Sequence, residues 1–199
     1  MKTPLDFLTP DNSLLLLVDY QPSMIKGVGS GDRIAMRHSA LASAKAAKIL
    51  GIPVILTAIN PEMNGEFFKE ISELFPGQQV LPRASLSFDI FDEPAVAKAI
   101  ADTGRTKLVI SGLWTSMCFG FSALSALRKG MEVYGIMDAA GDATLEAHMY
   151  GVKRMIQAGV VPTAWITLVS EWMHYWKNPK SKELVAEVYS KYDATMGLS

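Results

Sequence analysis

The sequence predicts an α/β protein: a doubly wound, mostly parallel sheet with helices on both faces. Two observations carry that reading. Apolar runs of β-type residues alternate with segments of helical periodicity along the chain, the pattern of repeated strand–helix–strand units. The first run, residues 13–19, is apolar on both of its alternating faces, as a strand covered from two sides must be. A third observation sets the scale. A chain of 199 residues, 49% hydrophobic and 20% charged, can bury a sizeable core within one domain and is not a disordered polymer.

Each element has a local reason. The strand at 13–19 is followed by a Gly- and Ser-rich loop over 21–31. Asp32 carries a carboxylate able to accept from the unpaired N–H groups of a first helical turn, and the helix it opens runs to Leu50, where Gly51 supplies the left-handed residue that ends it. Residues 53–59 are the second strand, 66–75 a helical segment and 76–89 a loop. Asp92, Glu93 and Pro94 make a helix start, since proline in a first turn lacks only an N–H that would be unpaired anyway; this helix ends near Gly104. Residues 107–111 are a strand, 112–117 a turn, and 118–129 a helix closed by Gly130. A strand over 132–137 precedes a helix over 144–158. There Leu145, Met149, Val152 and Ile156 recur every three or four residues and predict one buried stripe. Gly159 stops that helix, 160–169 reads as the last strand, and 170–199 as helical with aromatic residues interleaved. With no repeat or linker, one domain is expected over 1–199.

Charge excludes some partners. Nineteen Lys and Arg against 20 Asp and Glu leave a formal net charge of −1, with no basic excess for nucleic acid or an anionic membrane, and neither is expected as a partner. The longest aliphatic run, 14–18, is far short of the roughly 20 residues that cross a bilayer. Pro4, Asp6 and Pro10 interrupt the stretch that a signal peptide would need apolar, so a cytoplasmic protein is expected. The apolar surplus, with 11 Met in it, and the aromatic tail predict a homo-oligomer, tetramer or octamer.

In open α/β sheets ligands bind beyond the carboxyl ends of the strands, which singles out Asp19, Arg83 and Cys118. Cys118, the only cysteine, cannot form an internal disulfide or build a thiolate metal site alone. Placed at a helix N-terminus it is either a nucleophile whose pKa falls below that of a free thiol or a small buried hydrophobe. His38, His148 and His174 have no ligand spacing to one another and read as packing or surface residues. The run Gly27-Val28-Gly29-Ser30-Gly31 lacks the spacing and the lysine of a phosphate loop and reads as a flexible cover over the site. Trp114, Phe119, Phe121, Trp172 and Trp176 read as core or interface residues, Trp114 also as a wall of the substrate pocket.

Three stretches carry a resemblance: Val18-Asp19-Tyr20-Gln21; the loop with Arg83, Ser85, Ser87 and Phe88; and Gly112-Leu113-Trp114-Thr115-Ser116-Met117-Cys118. In order and spacing they resemble the signatures of the isochorismatase-like cysteine hydrolases, over about residues 12–170. The segment SGLWTSMCFGFSALSALRKGMEVYGIMDAAGD looks closest to the YcaC-like branch. The resemblance implies a Rossmann-like parallel sheet of about six strands and a triad acting on an amide or related small carbonyl compound. Asp19 would be the base, Cys118 the nucleophile and Arg83 the occupant of the family's lysine position. Arginine stays charged, so Arg83 could hold the carboxylate and thiolate but not relay a proton. Asp19, at a dry strand end, should have a raised proton affinity. The family also places a non-proline cis peptide between the residues matching Trp114 and Thr115, near which the N–H of Cys118 would complete an oxyanion hole; Gln21 would join Trp114 at the substrate. The nicotinamidase metal motif is missing, because the matching stretch, 57–63, has no histidine, so neither metal nor other cofactor is expected. Two other readings stand beside hydrolysis: an idle member serving binding or assembly, and a redox-sensing thiol.

Overall fold

The computed structural model describes residues 6–191. Six strands form one all-parallel sheet: β1 (Ser13–Val18), β2 (Val54–Ile59), β3 (Leu81–Arg83), β4 (Lys107–Gly112), β5 (Glu132–Ile136) and β6 (Val161–Thr163). Their order, β3-β2-β1-β4-β5-β6, reverses direction between β1 and β4, the topological switch of a doubly wound sheet. Register at that switch is continuous from Ser13 opposite Lys107 to Val18 opposite Gly112. Both strands are buried along their whole length, which accounts for the unbroken apolar run of β1.

The helices are α1 (Pro22–Lys26), α2 (Arg33–Leu50), α3 (Pro61–Asn64), α4 (Lys69–Ser72), α5 (Pro94–Asp102), α6 (Gly120–Arg128), α7 (Leu145–Ala158), α8 (Trp165–Met173) and α9 (Ser181–Leu184). Leu15 and Leu17 of β1 pack with α2 and α8 on one face, while Leu14, Leu16 and Val18 pack with α5, α6 and α7 on the other. The end signals act as read: Asp32 accepts from the N–H groups of Ile34 and Ala35, and Gly51 adopts φ +70° after α2. Pro94 opens α5, with Glu93 as its N-cap.

Four expectations need correction. The loop expected over 76–89 contains β3, an edge strand of three residues whose Pro82 disguises it; proline is tolerated where one strand flank is unpaired. Of the helical segment at 66–75, only α4 is an α-helix. The strand expected over 160–169 ends at Thr163, and Trp165, Leu168, Val169 and Trp172 form the buried side of α8, a helix whose short apolar run reads like a strand. The expected stripe of α7 is only partly buried: Leu145, Met149 and Ile156 are exposed, Val152 packs against the core, and Gly151 and Met155 are the buried residues of the helix.

Candidate active site

Asp19 follows β1, Arg83 ends β3, and Cys118 lies in the turn after β4, so three strand ends converge beside the switch point. All three side chains are buried; Cys118 is 2% exposed, Arg83 1% and Asp19 0%. Asp19 has a left-handed backbone, φ +58°, held by its N–H donating to Thr57 O (2.9 Å) and its carbonyl accepting from Gln21 N (2.8 Å). Such a conformation in a non-glycine residue costs on the order of 1 kcal/mol and persists where the surroundings fix it.

The Arg83 guanidinium is ion-paired with Asp19 and also donates to the Ser87 carbonyl of its own loop. Among the described residues Asp19 Oδ1 and Arg83 Nε have no oxygen or nitrogen partner, and the Cys118 thiol interacts with both side chains. Burial raises the Asp19 carboxyl to about 6, against the pull of Arg83 in the opposite direction. Burial and the Asp19 charge push the Cys118 thiol up to about 12, more than Arg83 draws it down. Both effects act against the expected resting thiolate and favour a proton on sulfur with the charge on the carboxylate. The expected helix end is also absent at Cys118. A π-helical turn, Thr115–Phe119, carries it, Met117 is non-helical (φ −112°, ψ −105°), and α6 begins only at Gly120.

The non-proline cis peptide is Leu113–Trp114, one bond before the expected place. Leu113 remains in register with the sheet, its N–H donating to Val18 O, and the chain turns immediately after it. Thr115 offers no amide to an oxyanion: its N–H donates to Gly141 O (2.9 Å), while its hydroxyl pairs with His148 Nδ1 (2.9 Å). The amides of Ser116 and Met117 are engaged by Asp142 Oδ2 and Trp114 O. Gln21, expected at the substrate, has its amide engaged as a brace. Its amide donates to the carbonyls of Ile59 and Gly65, and its oxygen accepts from Ile59 N. Trp114 is half-buried, fixed by Nε1–H donating to Met24 O (2.8 Å). The glycine-rich loop is not a loose cover, since Gly29 and Ser30 both donate to the Asp142 carbonyl.

Sequence reasoning passed over Asp142. It is a buried carboxylate just beyond β5, and its position after a strand end was the available signal. Tyr20 was also passed over: its hydroxyl donates to Ala139 O (2.7 Å) and lies within hydrogen-bond distance of Ser111 Oγ (3.0 Å), tying the end of β1 to β4. His38 lies along α2, and exposed His174 stacks near Phe7. Among the described residues no group of three His, Cys, Asp or Glu side chains gathers as metal ligands would.

The sequence model of the Isochorismatase domain matches residues 13–167. The chain belongs to the isochorismatase family. Its relatives in that family include the probable hydrolase YcaC of Escherichia coli, 28% identical over 179 residues, which are 89% of this chain and 86% of that protein. The crystal structure of the E. coli YcaC gene product, described as an octameric hydrolase of unknown specificity, superimposes with a TM-score of 0.89 at 27% identity, covering 98% of this chain and 97% of the other. YcaC from Pseudomonas aeruginosa, solved with hexane-2,5-diol and covalent acrylamide, gives the same TM-score at 25% identity and 98% coverage of both chains. The six-stranded parallel sheet is therefore the isochorismatase-like α/β fold, and the chain is a member of a hydrolase family. No helix among the described residues is long and apolar enough to cross a membrane.

Proposed function

We propose that this isochorismatase-family protein is a cysteine hydrolase that cleaves a small amide or related carbonyl compound through a thioester, using Asp19, Arg83 and Cys118 and no metal or other cofactor. The observation that carries the reading is the dry convergence of a carboxylate, a fixed cation and the only thiol at the switch point of the sheet. Since the thiol is held protonated, Cys118 reaches a nucleophilic state only by handing its proton to Asp19 as sulfur attacks the carbonyl carbon. The tetrahedral oxyanion then collapses, the C–N bond breaks, and Asp19 returns the proton to the leaving amine. Water attacks the thioester with Asp19 again as base; the acid leaves and sulfur regains its proton. Arg83 keeps the carboxylate in place throughout without exchanging protons. Oxyanion donors remain to be supplied by the amides of Cys118 and Trp114.

Screening small amides for release of ammonia or amine tests the reaction, with Cys118→Ala as the control. Turnover that vanishes in the variant supports the proposal, and turnover that survives in it overturns the assignment of the nucleophile. Arginine in place of a proton-relaying lysine is what favours the second reading, an idle family member for binding or assembly, which predicts no covalent adduct. The thiol pushed up to about 12 argues against a redox sensor, because the thiolate is the oxidisable form.

We further propose a homo-oligomer. The support is the octamer described for E. coli YcaC together with the exposed Leu145, Met149, Tyr150 and Ile156 along α7. Light scattering at micromolar concentration should show an assembly of four to eight chains; a stable monomer would contradict this.

A further inference from the structure

We propose that Asp142 is a positioning residue for the nucleophile turn, setting the peptide planes that precede Cys118. This rests on the cysteine-hydrolase reading. The turn is pinned by three contacts, at Thr115 and Ser116, from the segment after β5 and the start of α7. Gly141 O accepts from Thr115 N–H, Asp142 Oδ2 from Ser116 N–H (2.7 Å), and His148 Nδ1 pairs with the Thr115 hydroxyl. The α7 backbone closes against the same turn at Gly151, where a Cβ would stand 3.0 Å from Ser116 Cα and force it to move.

Asp142 is the point at which this segment meets the other wall of the turn. Its second oxygen, Oδ1, accepts from Ala143 N–H (2.8 Å). Its own N–H donates to Ser30 Oγ (2.9 Å), and its carbonyl accepts from Gly29 (2.9 Å) and Ser30 (3.1 Å). The glycines serve that contact: a Cβ on Gly29 would lie 2.4 Å from Ala143 O, and one on Gly27 would lie 2.5 Å from the Trp114 ring. The glycine-rich run thus lets its backbone approach Asp142 on one side and the Trp114 ring on the other. The two oxygens of the Asp142 carboxylate accept from the backbone N–H groups of Ser116 and Ala143, and its charge also acts on the His148 ring. A buried carboxylate used in this way fixes amide orientation more firmly than a neutral acceptor, because charge-assisted hydrogen bonds are the stronger ones. With the Thr115–Ser116 plane set, the direction of the Cys118 amide follows within the few residues of the turn. An oxyanion donor must be held to well under 1 Å to act.

The test compares two small reagents at Cys118, measured by intact mass. Acrylamide adds S–H across its C=C bond, with sulfur joining the terminal carbon and the proton delivered to the carbon beside the carbonyl, so charge passes through the carbonyl oxygen. Methyl methanethiosulfonate forms a disulfide and expels methanesulfinate, with the thiol proton released and no carbonyl oxygen involved. In the native protein the acrylamide rate relative to the thiosulfonate rate should exceed the same ratio for glutathione at least tenfold. Asp142→Ala should lower that ratio about tenfold or more while changing the thiosulfonate rate less than about twofold, and Asp142→Asn, which keeps one accepting oxygen, should fall between. If the alanine variant does not fold, the asparagine variant decides alone: a reduced ratio supports the proposal and a native ratio overturns it. A native excess that persists in the folded alanine variant overturns the role of Asp142 and leaves the hydrolase reading standing. A fall in both rates together assigns Asp142 a purely structural role and also overturns it. A native protein with no excess over glutathione overturns both.

Discussion

Replacing Arg83 with Met is expected to lower stability by about 3–5 kcal/mol, because it leaves the Asp19 carboxylate buried with no counter-charge. The direction of the titration follows from the same interaction. Arg83 now draws the Asp19 carboxyl down against a larger upward push from burial, with about 6 as the outcome. Without the guanidinium the carboxyl should rise further, and the acid limb of any rate profile should move above pH 6 by a unit or more. Folding then favours the protonated carboxyl: its contribution is fully present below the unfolded pKa near 3.8 and is lost as pH rises through the folded value. Chemical unfolding of the variant at pH 5 and pH 8 should therefore show the larger loss at pH 8. Equal stability of variant and native protein at pH 8 would mean that the pair is not holding the site. Lysine at 83 would keep the charge and restore a group able to exchange protons, so Arg83→Lys should retain most of the stability.

Asp19→Asn is expected to remove amide turnover by a factor of about 10² to 10⁴, the usual contribution of a positioned general base. At the same time it should make the thiol more acidic. The Asp19 charge and its hydrogen bond join burial in pushing Cys118 up, and removing the charge leaves the downward pull of Arg83. The variant should thus react faster than the native protein with methyl methanethiosulfonate at pH 8 while failing to hydrolyse any amide the native protein cleaves. That opposition distinguishes a base from a carboxylate that only packs. A packing role predicts that both rates change in the same direction.

The fold was legible wherever a strand is long or doubly covered. The apolar faces of β1 and β4 and the cap and glycine signals of α2 could be read because each depends on neighbours close in sequence. Failures fell where tertiary burial overrides pattern. β3 is three residues long with a proline in it, α8 is apolar enough to imitate a strand, and the exposed apolar side chains of α7 advertised a core they do not join. At the site, Asp19, Arg83 and Cys118 were singled out by type, place and resemblance, and the structure brings them together. Their protonation was not legible, because it depends on burial: the thiol was expected to be acidic at a helix end, whereas it sits in a π-helical turn beside a carboxylate. The engagement of Gln21 and Thr115 was not legible for a related reason. Their polar groups are engaged by Ile59, Gly65, Gly141 and His148, partners far away in sequence.

The central claim is that Asp19 draws the proton from a resting thiol as Cys118 attacks. The most direct measurement is the rate of acrylamide addition to Cys118 against pH from 4.5 to 9.5, in native protein and in Asp19→Asn. The account predicts a native rate that rises through about pH 6 as Asp19 ionises and then levels off, with the pH 6 inflection absent from the variant. A native rate that stays low through pH 7 and climbs only around the free-thiol pKa, about 8.5, with the variant following the same curve, would contradict it.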